Sequence, residues 1–191
     1  MIVSIAAVDA VGPGFLTVHP DGEPRPNSSS LNVTAGATVA NQAVAKLGAD
    51  GRFVVFSSVR TDLIVDVVGW LPVDSDFAAV TPSRLLDTRP GMTTVDRRQE
   101  GGGRVSAGTT IDIEIGGRAG VPDGGAGSVM LNVTAVQPSR AGFLTVYPKQ
   151  DEVPTSSSLN FSAGQTIANQ VLVQLGRGSI VRIYSPVDID V

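Results

Sequence analysis

The chain has 191 residues, 42% hydrophobic, 17% charged and 5% aromatic, with 22 Gly and 12 Pro, which is too apolar for disorder and long enough to bury a core. Its net charge is −4, and its arginines and its two lysines, Lys46 and Lys149, are scattered apart from Arg97-Arg98, so no basic stripe exists to bind nucleic acid. It has no Cys, which excludes a disulfide framework, a thiolate metal site and a cysteine nucleophile, and no apolar run approaches the roughly 18 residues that cross a bilayer, so membrane insertion is not expected.

Met1–Val8 is apolar but lacks a positive leading segment and a cleavage site, so it reads as a strand and not as a signal peptide. Gly14–Pro20 (GFLTVHP) is the next strand, followed by a Pro-rich charged loop over 19–27. Thr38–Leu47 (TVANQAVAKL), closed by Gly48, fits either an Ala-rich helix with a Gly cap or a strand. Leu63–Val68 alternates as a strand, and Val73–Phe77 is the expected joint between two parts of the chain. The segment 90–104 is polar, Gly-rich and aperiodic, as a mobile surface loop would be. Ile111–Ile115, Val129–Val136 and Ile180–Tyr184 are further alternating stretches.

An internal duplication orders these elements. Gly14–Pro20 returns as Gly142–Pro148, Ser28–Asn32 as Ser156–Asn160 and Ala40–Gln42 as Ala168–Gln170, always 128 positions later, as 142 − 14 = 128. Between Gly14–Val59 and Gly142–Val187, 22 of 46 positions are identical. The second copy resolves the Thr38–Leu47 ambiguity: it reads TIANQVLVQL, and Ile167, Val171, Val173 and Leu175 fall on one face at period two. A shorter echo, Ser106–Ile111 against Ser162–Ile167, with Arg84–Pro90 in the place of Gly142–Pro148, divides the period into half-units of about 64 residues. The fold class that follows is all-β: antiparallel sandwich or barrel-like repeat units with essentially no helix. Residues 1–72 form a partial repeat and 77–191 one nearly complete repeat; whether the two pack as one unit stays open. The loops 19–27 and 147–155 differ most between copies, as binding loops on a constant scaffold do.

The run Thr81–Pro90 (TPSRLLDTRP), then LNVTAV at 131–136, GFLTVYP at 142–148, SSLNFSAGQTIANQ at 157–170 and TDLIVDVVGW at 61–70, resembles a tandem β-repeat of secreted and cell-wall-associated actinobacterial proteins. The resemblance covers nearly the whole chain. It implies a non-catalytic extracellular module, found in tandem or beside secreted enzymes, with other copies of the module or neighbouring chains as partners. Two departures stand out. The second copy stops at Asp188–Val191, short of the strand and Gly-aromatic close that Leu63–Trp70 supplies in the first, and the chain opens on what would be the last strand of an absent half-unit. It therefore reads as cut from a longer array, or as shaped so that one chain completes its neighbour at an open sheet edge.

Candidate chemistry is sparse. His19 is the only histidine, its repeat partner is Tyr147, and a half-buried ring at a strand end explains both better than a catalytic triad does. Asp87-Thr88-Arg89 superficially matches an aspartic protease triplet, but Arg replaces Gly and no second triplet exists; Asp87 is expected to pair with Arg84 or Arg89 as a fastener. Asp62, Asp66, Asp112, Glu114, Asp188 and Asp190 invite calcium, yet in alternating strands such acids simply face solvent. With one His and no Cys, zinc is excluded, and no cofactor is expected. The sequons at Asn32, Asn132 and Asn160 are what polar-out alternation produces, and Gly101–Gly103 follows no strand and opens no helix, so it is not a phosphate loop. Asn41 and Asn169, kept between copies, are expected to tie a neighbouring loop, with Asn169 on the apolar face. Trp70, Tyr147 and Tyr184 are the candidate glycan contacts, with Trp70 read first as a core or joint residue. The leading function is a structural or adhesive extracellular module, without enzymatic activity, acting by packing and by edge or loop contacts. The alternative is a module binding cell-wall polysaccharide, and a hydrolase is the distant third.

Overall fold

The structure is a computed structural model that describes residues 1–72, 75–149 and 152–191. Among these residues there is no helix, and twelve strands follow in order: β1 Ile2–Val8, β2 Gly14–Pro20, β3 Leu31–Val33, β4 Val39–Val44, β5 Phe53–Ser57, β6 Asp62–Gly69, β7 Thr109–Glu114, β8 Ser128–Ala135, β9 Gly142–Pro148, β10 Leu159–Phe161, β11 Ile167–Gln174 and β12 Ile180–Ser185. The fold is all-β and sandwich-like, and these strands pair antiparallel throughout.

Two compact units result, Met1–Pro82 and Ser83–Val191. The division lies beyond the expected joint at Val73–Phe77, of which Val73 and Asp74 fall outside the described residues. The later boundary has a local cause: the Thr81 hydroxyl donates to Glu23 Oε2, holding the segment before Pro82 against the first unit.

In the first unit, sheet β4-β1-β6 faces sheet β3-β2-β5. β1 alternates strictly, turning Val3, Ile5 and Ala7 inward to meet Leu16 and Val18 of β2, Leu31 and Val33 of β3 and Ala43 of β4. Each of the Val, Leu and Ile side chains among these contributes about 1.5–3 kcal/mol on full burial, which is why period two here dictates the register. β6 is an exception. It is hydrogen-bonded along β1 from Val8↔Asp62 to Ile2↔Gly69, but none of its described side chains belongs to the core cluster, and Leu63, Ile64, Val65 and Val67 are all exposed.

In the second unit, sheet β10-β9-β12-β7 faces β11-β8. Ile113 and Ile115, Val133 and Ala135, Leu144, Val181 and Ile183 form its core, joined by Val187 and Ile189 of the terminal segment. The duplication is structural. Gly14↔Val33 returns as Gly142↔Phe161, and Leu16↔Leu31 as Leu144↔Leu159. Thr38–Leu47 holds strand β4 and its copy holds strand β11, in agreement with the Val-for-Ala exchanges. Of the shorter echo, only the turn persists. Gly108 and Gly164 both take positive φ (77° and 69°) just ahead of β7 and β11, whereas Arg84–Pro90 forms no strand equivalent to β9.

The copies differ at their sheet edges. Among the described residues, β12 lies between β9 and β7 but its counterpart β5 pairs with β2 alone, and β1 lies between β4 and β6 but its counterpart β8 pairs with β11 alone. The side chains register this. Val181 and Ile183 are fully buried, while their equivalents Phe53 and Val55 are only partly so, and Val3 is fully buried while Leu131 is not.

Candidate functional site

The RLLDTR run is a fastener for the terminal segment. Asp87 is buried, and Arg89 binds it two-pronged, Nε to Oδ1 at 3.0 Å and Nη2 to Oδ2 at 2.8 Å, while Arg84 Nη1 lies 3.0 Å from Oδ2. Burial alone would raise the Asp87 carboxyl, but the hydrogen bonds and charge of Arg89 outweigh it and hold it below the usual range. This fixes the next residue. Thr88 N donates to Val191 O at 3.0 Å, the Thr88 hydroxyl donates to Asp190 Oδ1 at 2.9 Å, and Val191 N donates to Thr88 Oγ1 at 3.0 Å. Arg104 completes the clamp on Asp190 Oδ2 at 3.2 Å. Asp190 is therefore buried, in contrast to the solvent-facing position expected of the strand acids, because Thr88 and Arg104 reach it inside.

The segment 90–104, expected to be mobile, is instead anchored by Arg118, a residue the sequence reading passed over. Arg118 is 2% exposed, and its guanidinium donates to both Asp96 oxygens (2.7 and 2.8 Å), to Gln99 Oε1 (2.8 Å) and to the carbonyls of Leu85 (2.9 Å), Arg98 (3.3 Å) and Glu114 (2.7 Å). Arg118 holds the Asp96 carboxyl far below its ordinary value. Gln99, at φ 54°, then bonds the outer edge of β7, donating to Asp112 O at 2.7 Å and accepting from Glu114 N at 3.1 Å. A side-chain amide thus substitutes for a neighbouring strand and closes that edge.

A cleft of about 440 Å³ lies beside this network, lined among others by Asp87, Gln99, Glu100, Arg104 and Asp112. Its charged groups have partners within the chain. Asp87 is held by Arg84 and Arg89, and Arg104 by Asp190. Glu100 accepts from Thr94 N at 2.9 Å, and Asp112 pairs with Lys149 and Arg182, each at 2.9 Å. Lys149 first and Arg182 second lower the Asp112 carboxyl, against an opposing effect of burial. Both Asp87 and Asp112, the cleft carboxyls beside these cations, are thus held in the charged form by their partners.

The residues preserved between copies serve the scaffold. Asn41 Nδ2 donates to Ser30 O and Asn169 Nδ2 to Ser158 O, each at 2.8 Å. Thr17 and Thr145 donate to Ser28 O and Ser156 O, and the Ser30 and Ser158 hydroxyls accept from Val18 N and Val146 N. The Ser run and the Asn-Gln pair therefore pin the end of the variable loop to β2 or β9. Asn41 is buried, but Asn169 is exposed and not on the apolar face; Ala168 takes the buried position beside it.

The aromatic candidates separate. Tyr147 is only 3% exposed, with its hydroxyl 3.2 Å from Thr110 Oγ1, so it offers no ring face to a glycan: β9 is covered on both sides of that position. Tyr184 is half-buried against Phe143, with ring centroids 6.3 Å apart. Trp70 is 70% exposed at the end of β6, which corrects its reading as a core residue. His19 is buried, its Nδ1 3.0 Å from Pro20 O. Asn32 Nδ2 is buried without a hydrogen-bond partner. Among the described residues, no three His, Cys, Asp or Glu side chains converge as a metal site, and no helix is long and apolar enough to cross a membrane.

No family model, curated protein or solved structure matches this chain.

Proposed function

We propose that the chain is a non-catalytic structural or adhesive β-repeat module of an extracellular bacterial surface or secreted protein, working through packing and through its edges and loops. The observation that carries this reading is where the preserved residues go. In both copies the Gly-Phe-Leu-Thr-Val strand, the Ser run and the Asn-Gln pair are consumed in the same internal hydrogen bonds, while the loops they frame vary. Duplication of a scaffold, with its polar groups turned inward, is what a module multiplied for reach and attachment needs. The similarity of the RLLDTR, LNVTAV and GFLTVYP segments to the actinobacterial wall-associated repeat supports the extracellular placement.

The second reading, binding of cell-wall polysaccharide, is favoured by one observation: Trp70 is 70% exposed. An amphipathic aromatic presented this way is a stacking platform for a sugar face. Incubation of the purified chain with insoluble bacterial walls, with and without their accessory polysaccharide, separates the readings. Under the structural reading the chain stays in the supernatant while a known wall binder is retained. Retention that a soluble wall fragment competes away, and that Trp70→Ala abolishes with the fold intact, establishes the polysaccharide module instead.

A further inference from the structure

The duplication also repeats a pair of aromatic rings. Phe15 of β2 and Phe56 of β5 lie with ring centroids 6.0 Å apart and planes at 43°, and Phe143 of β9 and Tyr184 of β12, each 128 positions later, lie 6.3 Å apart at 48°. Each ring alternates with a core-facing neighbour, Leu16 and Val55 in the first copy, Leu144 and Ile183 in the second. Both pairs therefore stand on the face of their sheet turned away from the core. All four rings are half-buried. What covers them differs. In the first copy the Arg25 guanidinium stands over both rings, 4.3 Å from the Phe56 centroid and 5.9 Å from that of Phe15. Arg25 belongs to Pro24-Arg25-Pro26, in the loop whose end is pinned to β2 through Thr17 and Ser30. The second loop has the same length and is pinned by the same bonds, through Thr145 and Ser158, but it reads Glu152-Val153-Pro154, and Val153 is exposed. Among the described residues no cation stands over Phe143 or Tyr184. Arg182, the one charged residue of β12, is drawn instead to Asp112 of β7 at 2.9 Å.

We propose that the Phe143–Tyr184 pair is a binding site for an arginine side chain of a partner protein, presented on a proline-flanked segment of the Pro24-Arg25-Pro26 type. The first copy sets the chemistry, because the same two ring positions on the same scaffold hold a guanidinium there. An aromatic face attracts a cation through its quadrupole, and Tyr in place of Phe at position 184 keeps that face. A guanidinium is planar and more weakly hydrated than an ammonium, so it stacks on a ring at a smaller desolvation cost, which selects Arg over Lys. Proline on either side fixes φ and reduces the ordering that binding requires. With Val153 where the first copy has Arg25, the second pair has no cation of its own loop and is open to one from another chain. This deepens the modular reading above by naming a partner, and rests on that reading only for where the partner is found.

The probe is a capped peptide with the sequence of Gly22–Asn27, titrated into the full chain and followed by NMR of aromatic side chains. Saturable shifts of the Phe143 and Tyr184 rings are expected, with the δ-methylene of the peptide arginine moved upfield by the ring currents. The same peptide with citrulline for arginine keeps the shape without the charge and should bind about threefold or more weakly. Val153→Arg, a change at an exposed loop position, should supply the cation from the chain itself and abolish the response of Tyr184. Arg25→Val should uncover the first pair, so that Phe15 and Phe56 begin to respond as well. Absence of saturable shifts at Phe143 and Tyr184, equal binding of the citrulline peptide, undiminished binding to Val153→Arg, or unresponsive Phe15 and Phe56 rings in Arg25→Val overturns the proposal. Wall retention plays no part in this readout, so failure of arginine binding and failure of the modular reading are separately visible.

Discussion

Replacing Arg118 with Met keeps most of the buried aliphatic stem while removing the whole guanidinium. Six hydrogen bonds disappear together, to the Asp96 carboxylate, the Gln99 amide and three backbone carbonyls. Truncating one partner of a buried ion pair costs about 3–5 kcal/mol, mainly through the partner left behind. The Asp96 side chain is 30% exposed and can recover some hydration, which places the expected loss near the lower figure, about 3 kcal/mol. Against a urea slope of roughly 2 kcal/mol per molar, the midpoint for residues 83–191 should fall by about 1.5 M. The comparison is Arg98→Ala, which removes the exposed ion pair with Glu114 and should cost under about 1 kcal/mol. Hydrogen exchange then locates the damage. With Asp96 and Gln99 released, the Glu114 amide, which donates to Gln99, should lose protection before the β12 amides do. Equal effects of Arg118→Met and Arg98→Ala, or an unchanged Glu114 amide, would refute the view that Arg118 organises this loop and closes β7.

Asn41→Ala should cost about 1–2 kcal/mol and Asn169→Ala under about 1 kcal/mol in chemical denaturation, since the same bond to a Ser carbonyl is buried in one copy and exposed in the other. A Cβ at Gly48 would fall on the Asp21 carbonyl and one at Gly176 on the Lys149 backbone nitrogen, so either Gly→Ala change should destabilise by about 2–3 kcal/mol, whereas Gly102→Ala, with open space around it, should be near neutral by the same assay. Because the Asp87 carboxyl is held below its ordinary value of 3.8, its contribution is complete above that pH and is lost as pH falls through the depressed folded value. Acid titration of stability should therefore show a smaller loss below pH 3.8 in Asp87→Asn than in the parent chain, at the expense of lower stability at neutral pH.

The sequence by itself determined the strand content and the duplication. Period-two alternation reports which side of a strand is buried, and the Val171 and Val173 exchanges removed the one plausible helix. It also marked Arg84, Asp87 and Arg89 as a structural cluster, because three opposite charges within six positions can meet through local chain geometry alone. Trp70, Tyr147 and Asn169 escaped such reading: their exposure depends on whether another strand covers them, and alternation says nothing about strands that are distant in sequence. Arg118 escaped it for a related reason. An isolated arginine in a polar stretch carries no periodic signal, and its six acceptors come from three separate parts of the chain, Leu85, Asp96–Gln99 and Glu114. Only the tertiary structure decided which strands share a sheet: β1 lies between β4 and β6, and β12 between β9 and β7, because hydrogen bonding between strands is set by which neighbour arrives, and alternation along one strand does not encode that.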